Sequence, residues 1–322
     1  MKKIKIGVVG VGYLGQFHAE KYAKIAGVEL VGVVDVIPSR AKEIAKRAHT
    51  QPFFHHSELF KRVQAVSIAV PTAFHYAVAK DFLLHGIDIL LEKPISRTLE
   101  EADQLIGLAE SKGLILQVGH LERFNGALTA LERMIQHPLL VESYRMGPFT
   151  GRGADVNVVL DLMIHDIDIV LSLVKAKPKL IQAMGIPFIT RHIDMANAHI
   201  VFENGCTANL TASRISKEKA RRTQIFQPDG ILSIDYMSQK ATLSKRAVLS
   251  RKEEIPKMVT KEILARKVDL LEAEIRSFLQ SVRSRKNVRV SGWDGKRALE
   301  VALKIVQIID SYNEERTERL NP

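Results

Sequence analysis

The chain has 322 residues, of which 46% are hydrophobic and 26% charged. That balance excludes a disordered or low-complexity chain, and no apolar run reaches the roughly 18 residues a membrane span needs. Lysine and arginine outnumber aspartate and glutamate by 47 to 36, a net charge of +11, which points to an anionic partner: nucleic acid, a membrane surface or a small molecule. The surplus is regional: residues 1–122 carry +2 and residues 123–322 carry +9. The stretch 214–289 alone has 19 basic and 9 acidic residues. It shows no zinc finger, helix-turn-helix signature or run of aromatics for base stacking, so no nucleic acid is expected as partner. The single cysteine, Cys206, allows no internal disulfide and no cysteine-rich zinc site. The N-terminus lacks a long apolar region with a small-residue cleavage site. A soluble, cytoplasmic protein with no membrane partner is expected.

In chain order, the apolar runs Lys3–Val9, Leu30–Val34, Ala65–Val70, Ile87–Leu91 and Leu114–Val118 read as strands. Between them Phe17–Ala26, Ser39–Ala48, His75–His85 and Thr98–Ser111 have helical periodicity, the last with capping-box spacing from Thr98 to Glu101. This alternation predicts an α/β fold with a doubly wound parallel sheet over residues 1–122. The first strand runs into Gly10-Val11-Gly12-Tyr13-Leu14-Gly15, a G-x-G-x-x-G that opens a helix, and Asp35 follows 20 residues after Gly15 at the end of the second strand. Strand, glycine turn, helix and distal carboxylate together make the dinucleotide fingerprint. A carboxylate at position 35 accepts hydrogen bonds from ribose hydroxyls and repels a 2′-phosphate, so NAD is favoured over NADP; Arg40 nearby tempers that preference. Two further strand ends, Val70-Pro71-Thr72-Ala73-Phe74-His75 and Leu91-Glu92-Lys93-Pro94, point to the same ligand. Lys93 is well placed to be held over the cofactor, the alternative being a solvated lysine.

Residues 123–322 are expected to form a second, α/β domain. Asp161–Leu171 reads as a helix in which Asp161, His165 and Asp168 fall at i, i+4 and i+7, on one face. Three readings stand side by side: acid/base chemistry, a divalent ion shared by Asp and His, and a histidine satisfied by packing hydrogen bonds. Further ligands are not evident, and no metal is expected. Leu180–Met184, Ala196–Phe202, Thr207–Ser213, Thr223–Phe226 and Gly230–Asp235 then read as short strands, with a hairpin signal at Asn204-Gly205. They predict a mainly antiparallel sheet, followed by helices over Glu272–Val282 and Gly295–Asn313 capped by Ser291 or Asp294. Arg214, Lys217, Lys219, Arg221 and Arg222 read either as a solvated basic loop or as a grip on a diphosphate. Lys240–Lys267, mixed in sign, reads as surface or a subunit edge.

Gly10–Gly15, Asp35, Pro71-Thr72-x-x-His75, Glu92-Lys93-Pro94 and Asp161-x-x-x-His165-x-x-Asp168 together resemble the glucose–fructose oxidoreductase/inositol dehydrogenase (Gfo/Idh/MocA) family in order and spacing. The resemblance extends to Ser291-Gly292-Trp293-Asp294-Gly295. It implies an N-terminal Rossmann domain (1–122) that binds NAD. Residues 123–322 would then form a substrate-binding and oligomerisation domain with a large open sheet, assembling a homodimer or homotetramer. It implies a cis bond before Pro94 and a catalytic group of Lys93, Asp161 and His165, which would also touch the substrate. Cofactor-binding residues carried over are Gly10, Gly12, Tyr13, Leu14, Gly15, Asp35, Arg40, Pro71, Thr72, His75, Glu92 and Lys93. Arg123 is retained from the family pattern as a substrate residue and Arg214 joins it, whereas Leu121 replaces an asparagine and removes or moves a polar contact near the nicotinamide. The runs Asp161–Asp168, Asp194–Ala198 and Ala208–Ser213 look most like those of nucleotide-sugar 3-dehydrogenases. That implies hydride transfer from a secondary sugar hydroxyl, C3 of a nucleotide sugar such as UDP-N-acetylglucosamine. Alternatives within the resemblance are an NAD-dependent glycoside hydrolase and another sugar or inositol dehydrogenase; a non-catalytic NAD-binding regulator has no need of Lys93, Asp161 and His165 together.

Overall fold

The Val-, Ile- and Leu-rich runs of the first half form β1 (Ile4–Val9), β2 (Val28–Val34), β4 (Ala65–Ile68), β5 (Asp88–Glu92) and β6 (Leu116–Gly119). The computed structural model describes residues 3–151, 153–247, 257–286 and 288–320. A three-residue edge strand, β3 (Gln51–Phe53), completes a parallel sheet of order β3-β2-β1-β4-β5-β6. Pro52 and the brevity of β3 hide it from any periodicity. Every residue of β5 is buried, Asp88 and Glu92 included, as in a strand covered on both faces. Helices α1 (Gly15–Lys24), α2 (Pro38–Arg47), α3 (His75–Leu84) and α4 (Leu99–Ser111) provide that cover. The Thr98 side chain caps α4 by accepting the Glu101 N–H at 3.2 Å, as expected. Strand order reverses between β1 and β4, where the strand ends open a crevice.

The second sheet has eight strands in the order β14-β13-β12-β11-β7-β10-β9-β8. Its members are β7 (Leu140–Met146), β8 (Pro178–Ile186), β9 (Met195–Phe202), β10 (Thr207–Ser213), β11 (Ala220–Gln227), β12 (Gly230–Asp235), β13 (Lys240–Arg246) and β14 (Met258–Ile263). Neighbours are antiparallel except the β7–β10 pair. Asn204-Gly205 makes the β9–β10 turn, with Gly205 at φ 84°. The sequence does not announce β7, β13 or β14, because charged and hydroxyl side chains interrupt their apolar alternation. Helices α5 (Gly126–Leu131), α6 (Ile164–Val174), α7 (Leu270–Ser284) and α8 (Gly292–Leu320) complete the chain. On β9, Ala196, Ala198, Ile200 and Phe202 are buried while Met195 and Asn197 are exposed; Leu180 and Met184, paired to the exposed side, are exposed too. One face of this sheet is therefore packed and the other open. Among the described residues no helix is long and apolar enough to cross a membrane.

The chain divides into two compact units, one of residues 1–121 with 269–299 and the other of residues 122–268 with 300–322. The expected single second domain over 123–322 is corrected by α7. Its stripe Ile275, Phe278, Leu279 and Val282, at i, i+3, i+4 and i+7, packs into the same core as Ile4, Ile6, Val8, Ala19 and Tyr22. A helix far along the chain thus completes the first layer. Residues 248–256 and 287 of the basic stretch 214–289 lie outside the described residues.

Candidate active site

At the end of β1, Gly10 takes φ 81°, and a Cβ there would stand 2.8 Å from Ala69 O and Val70 N. Only glycine lets β1 turn so close to the end of β4. At Gly12 the situation is opposite: a Cβ would meet only Arg40 Nη1 at 4.0 Å, so that backbone faces open space. Helix α1 begins at Gly15 with no side-chain cap, which leaves the helix end to attract an anion. Asp35 is buried; its Oδ2 accepts the Val11 N–H at 3.1 Å and its Oδ1 the Ile37 N–H at 2.9 Å. Arg40 Nη1 approaches the same carboxylate at 3.3 and 3.4 Å. Tyr13, Leu14, Val36 and Ile37 expose apolar surface around it. An uncapped helix start, an open glycine backbone, a fixed carboxylate and apolar walls are what a dinucleotide's pyrophosphate, ribose and base require, so the residues fit NAD.

The ends of β4 and β5 flank this crevice. Pro71 and Thr72 begin a short turn, Thr72–Phe74, with Pro71 exposed and Thr72 half-buried. The Lys93–Pro94 bond is cis, and Lys93 is half-buried. Two residues expected at the cofactor turn inward instead. The buried His75 ring lies with Nδ1 2.8 Å from Pro94 O and Nε2 2.9 Å from Val70 O, which leaves neither nitrogen for a ligand. Burial holds the His75 imidazolium below the ordinary histidine range, although both carbonyls favour the charged form. The buried Glu92 carboxylate sits 3.0 Å from His18 Nε2. Burial opposes its charge, but the hydrogen bond and charge of His18, with the charge of Lys93, hold it below the usual carboxylate range. His75 and Glu92 support the strand ends.

In the second unit, the predicted helix over Asp161–Leu171 opens with a π-helical turn, Val159–Met163, before α6. Such wide turns recur at functional sites. Asp161 and His165 are both partly exposed. Gly153 approaches the Asp161 carboxylate so closely that a Cβ there would stand 2.7 Å from Oδ2. Asp168 differs from them in being buried, and Arg123 Nε donates to it at 2.8 Å. Arg123, expected at the substrate, is thereby engaged with α6. Arg214 is corrected outright. It is buried, donates to Gly153 O and to Val156 O at 2.7 Å, and stands 3.8 Å from Asp194. It holds the loop that rests on Asp161. Asp194 in turn accepts the N–H groups of Phe188, Ile189 and Thr190 at 2.7–2.8 Å.

The sequence reading missed a buried network under α6. Arg145 Nε and Nη2 donate to Asp166 at 2.8 and 3.1 Å, and Nη1 donates to Glu122 at 3.0 Å. Burial opposes the Arg145 charge, but Asp166 and Glu122 outweigh it and raise its affinity for the proton. Asp166 and Asp168, each tied to an arginine, fix α6 on either side of His165. The available signal was β7 itself, where alternation puts Ser143 and Arg145 among the buried positions. Arg221, another of the basic residues read as a possible grip on a diphosphate, lies on β11. It pairs directly opposite Arg145, so its side chain issues from the face that carries α6. It is exposed, yet partial burial and the like charge of Arg145 lower its affinity for the proton, against the smaller opposing effect of Glu122, Asp166 and Asp161.

Comparison with known proteins agrees with this geometry. Residues 4–120 match the model of an oxidoreductase family with an NAD-binding Rossmann fold, and residues 126–233 match the GFO/IDH/MocA C-terminal domain. The chain is 37% identical to the UDP-N-acetylglucosamine 3-dehydrogenase of Acidithiobacillus ferrooxidans, over 97% of this chain and 99% of that protein. A solved structure of that enzyme, with the same coverage, superposes with a TM-score of 0.90. A scyllo-inositol 2-dehydrogenase (NAD(+)) of Bacillus subtilis is 26% identical over 94% of this chain and 92% of its own. The scyllo-inositol dehydrogenase of Lactobacillus casei, solved with NAD(H) and scyllo-inositol, shares the fold with a TM-score of 0.80 at 22% identity, covering 97% of this chain and 98% of that one.

Proposed function

The chain belongs to the GFO/IDH/MocA family of NAD-binding oxidoreductases, and we propose that it oxidises the C3 hydroxyl of a nucleotide sugar, UDP-N-acetylglucosamine, with NAD. The full-length match at 37% identity to a dehydrogenase of that name carries the reading. Bound NAD supplies the hydride acceptor. Gly10–Gly15 with the start of α1 hold its pyrophosphate, and Asp35 holds the adenosine ribose, with Arg40, Pro71 and Thr72 alongside. His165 takes the hydroxyl proton as general base, an imidazole being suited to that task near neutral pH. Lys93 serves to stabilise the negative charge that develops on the substrate oxygen, and Asp161 to orient His165. Arg221 grips the diphosphate in place of Arg214, supported by its exposed position on the α6 face.

The same reading makes the protein a cytoplasmic homo-oligomer. Leu180, Met184 and Met195, exposed on the open face of the eight-stranded sheet, support assembly through that face.

The experiment is an NADH-absorbance assay with NAD and a panel of free and UDP-linked sugars. A response to the UDP-linked N-acetyl sugar is expected; a response to inositol or free glucose alone overturns the substrate. Lys93→Ala and His165→Ala should each cut turnover by at least about 100-fold while NAD still binds. Normal turnover in both would remove these residues from the chemistry.

A further inference from the structure

Beneath the strand end that carries Lys93, three ligand-type side chains from separate elements converge in the interior of the first unit. His18 comes from α1, Glu92 from β5 and Glu274 from α7, and one ligand atom of each lies within 4.8 Å of the others. His18 and Glu274 are 0% exposed and Glu92 is 5%. The hydrogen bonding among them is one-sided. The His18–Glu92 contact uses His18 Nε2 and Glu92 Oε1, whereas both oxygens of Glu274 and His18 Nδ1 have no partner among the described residues. Gln117, also 0% exposed, donates from Nε2 to the Glu274 carbonyl at 3.3 Å and adds another unpartnered oxygen, Oε1, beside it.

A buried interior with several lone pairs and few donors is costly unless an electron-pair acceptor occupies it. With His18 neutral and Glu92 and Glu274 ionised, the three carry a charge of −2, which one divalent cation cancels. We propose that His18, Glu92 and Glu274 form a buried binding site for a divalent first-row transition-metal ion, of the Zn2+ or Mn2+ class. Imidazole and carboxylate together suit those ions, whereas Mg2+ prefers an all-oxygen shell that keeps several waters. Metal bonds of about 2.0–2.2 Å require the ligand atoms to draw in by roughly half an ångström, within the reach of side-chain rotation. Burial and the charge of Glu92 raise the Glu274 carboxyl well above its ordinary range. The bound ion ties α1, β5 and α7 together next to Lys93 and fixes the floor of the strand end. This inference does not depend on which sugar is oxidised.

The test uses the whole chain without an affinity tag. It is unfolded in guanidinium with a chelator, desalted, and refolded either without metal or with Zn2+ or Mn2+ chloride. Elemental analysis after desalting should find about one ion per chain from one of the two, with a Tm roughly 5 °C above the metal-free sample. Anomalous diffraction at that metal's edge should place the ion between His18, Glu92 and Glu274. Glu274→Gln, similar in shape but short of the charge, should lose the ion. Less than about a tenth of an ion per chain, both as purified and after refolding with either salt, overturns the proposal in favour of a proton on Glu274. So does anomalous density elsewhere, or full metal content in Glu274→Gln. Should that variant fail to fold, the diffraction result on the native chain decides.

Discussion

The His75 ring stands 2.8 Å from the Pro94 carbonyl, and its other nitrogen reaches Val70 O at 2.9 Å. One side chain thereby clips the end of β4 to the segment that follows Lys93. His75→Ala removes the clip and leaves two buried carbonyls to find water, at a cost of about 1–3 kcal/mol in stability. Displacement of Lys93 should lower kcat by roughly 100-fold. NAD affinity, which draws on Gly10–Gly15 and Asp35, should change little. Urea unfolding, steady-state kinetics and a fluorescence titration with NAD separate the three quantities; unchanged kcat would show that Lys93 is held by other means.

Gly12 and Gly15 belong to one motif, yet substitution should act on different properties. A methyl at Gly12 meets only Arg40 at 4.0 Å, whereas at Gly15 it would overlap Gly10 O. Gly12→Ala should therefore fold with near-native Tm and weaken NAD by roughly tenfold, since the methyl takes the space of the pyrophosphate. Gly15→Ala should lose about 1–3 kcal/mol of stability from overpacking the turn. Thermal unfolding with and without NAD distinguishes them, and equal destabilisation by both would contradict the open space at Gly12.

Much of this was legible in the sequence because the residues concerned are neighbours in the chain. Gly10–Gly15, Asp35 and the two strand ends follow from local pattern, and the parallel sheet from repeated alternation. Tertiary partnership was not legible. The spacing of Asp161, His165 and Asp168 gave no sign that the helix opens with a π-helical turn at Val159–Met163 or that Asp168 is bonded to Arg123. Arg214 looked like a phosphate ligand because it opens a basic run, but burial commits it to Gly153 and Val156. Membership of α7 in the first unit depends on a core assembled from residues some 270 positions away. His18 and Glu274 left one faint trace: each is an ionisable residue on the apolar stripe of its helix.

Asp166 adjoins the partly exposed His165 but is buried, locked by Arg145 through two hydrogen bonds. Asp166→Asn leaves the Arg145 charge compensated by Glu122 alone in a buried setting, and breaking such a pair costs about 3–5 kcal/mol. His165→Ala, at a partly exposed position, should leave stability within about 0.5 kcal/mol while removing activity. Denaturant titrations of the two variants beside the native chain provide the comparison. A larger loss from His165→Ala than from Asp166→Asn would mean that the Arg145 network does not anchor α6.

Arg221 and Arg222 are adjacent on β11 and opposite in direction, which makes them an internal control for the diphosphate. Arg221 pairs with Arg145, on the face carrying α6; Arg222 pairs with Tyr144 and opens on the other side beside Met146, Thr223 and Lys240. A charge-assisted arginine–phosphate contact is worth about 1.5–3 kcal/mol, so Arg221→Ala should raise KM for a nucleotide sugar roughly 10- to 100-fold. The kcat should hold, because the contact is made equally in the ground and transition states. Arg222→Ala should leave KM near its native value, and raised salt should weaken the substrate less in Arg221→Ala than in the native chain. If Arg222→Ala raises KM and Arg221→Ala does not, the diphosphate lies on the open face of the sheet and the surplus positive charge serves a different surface from the one that carries α6.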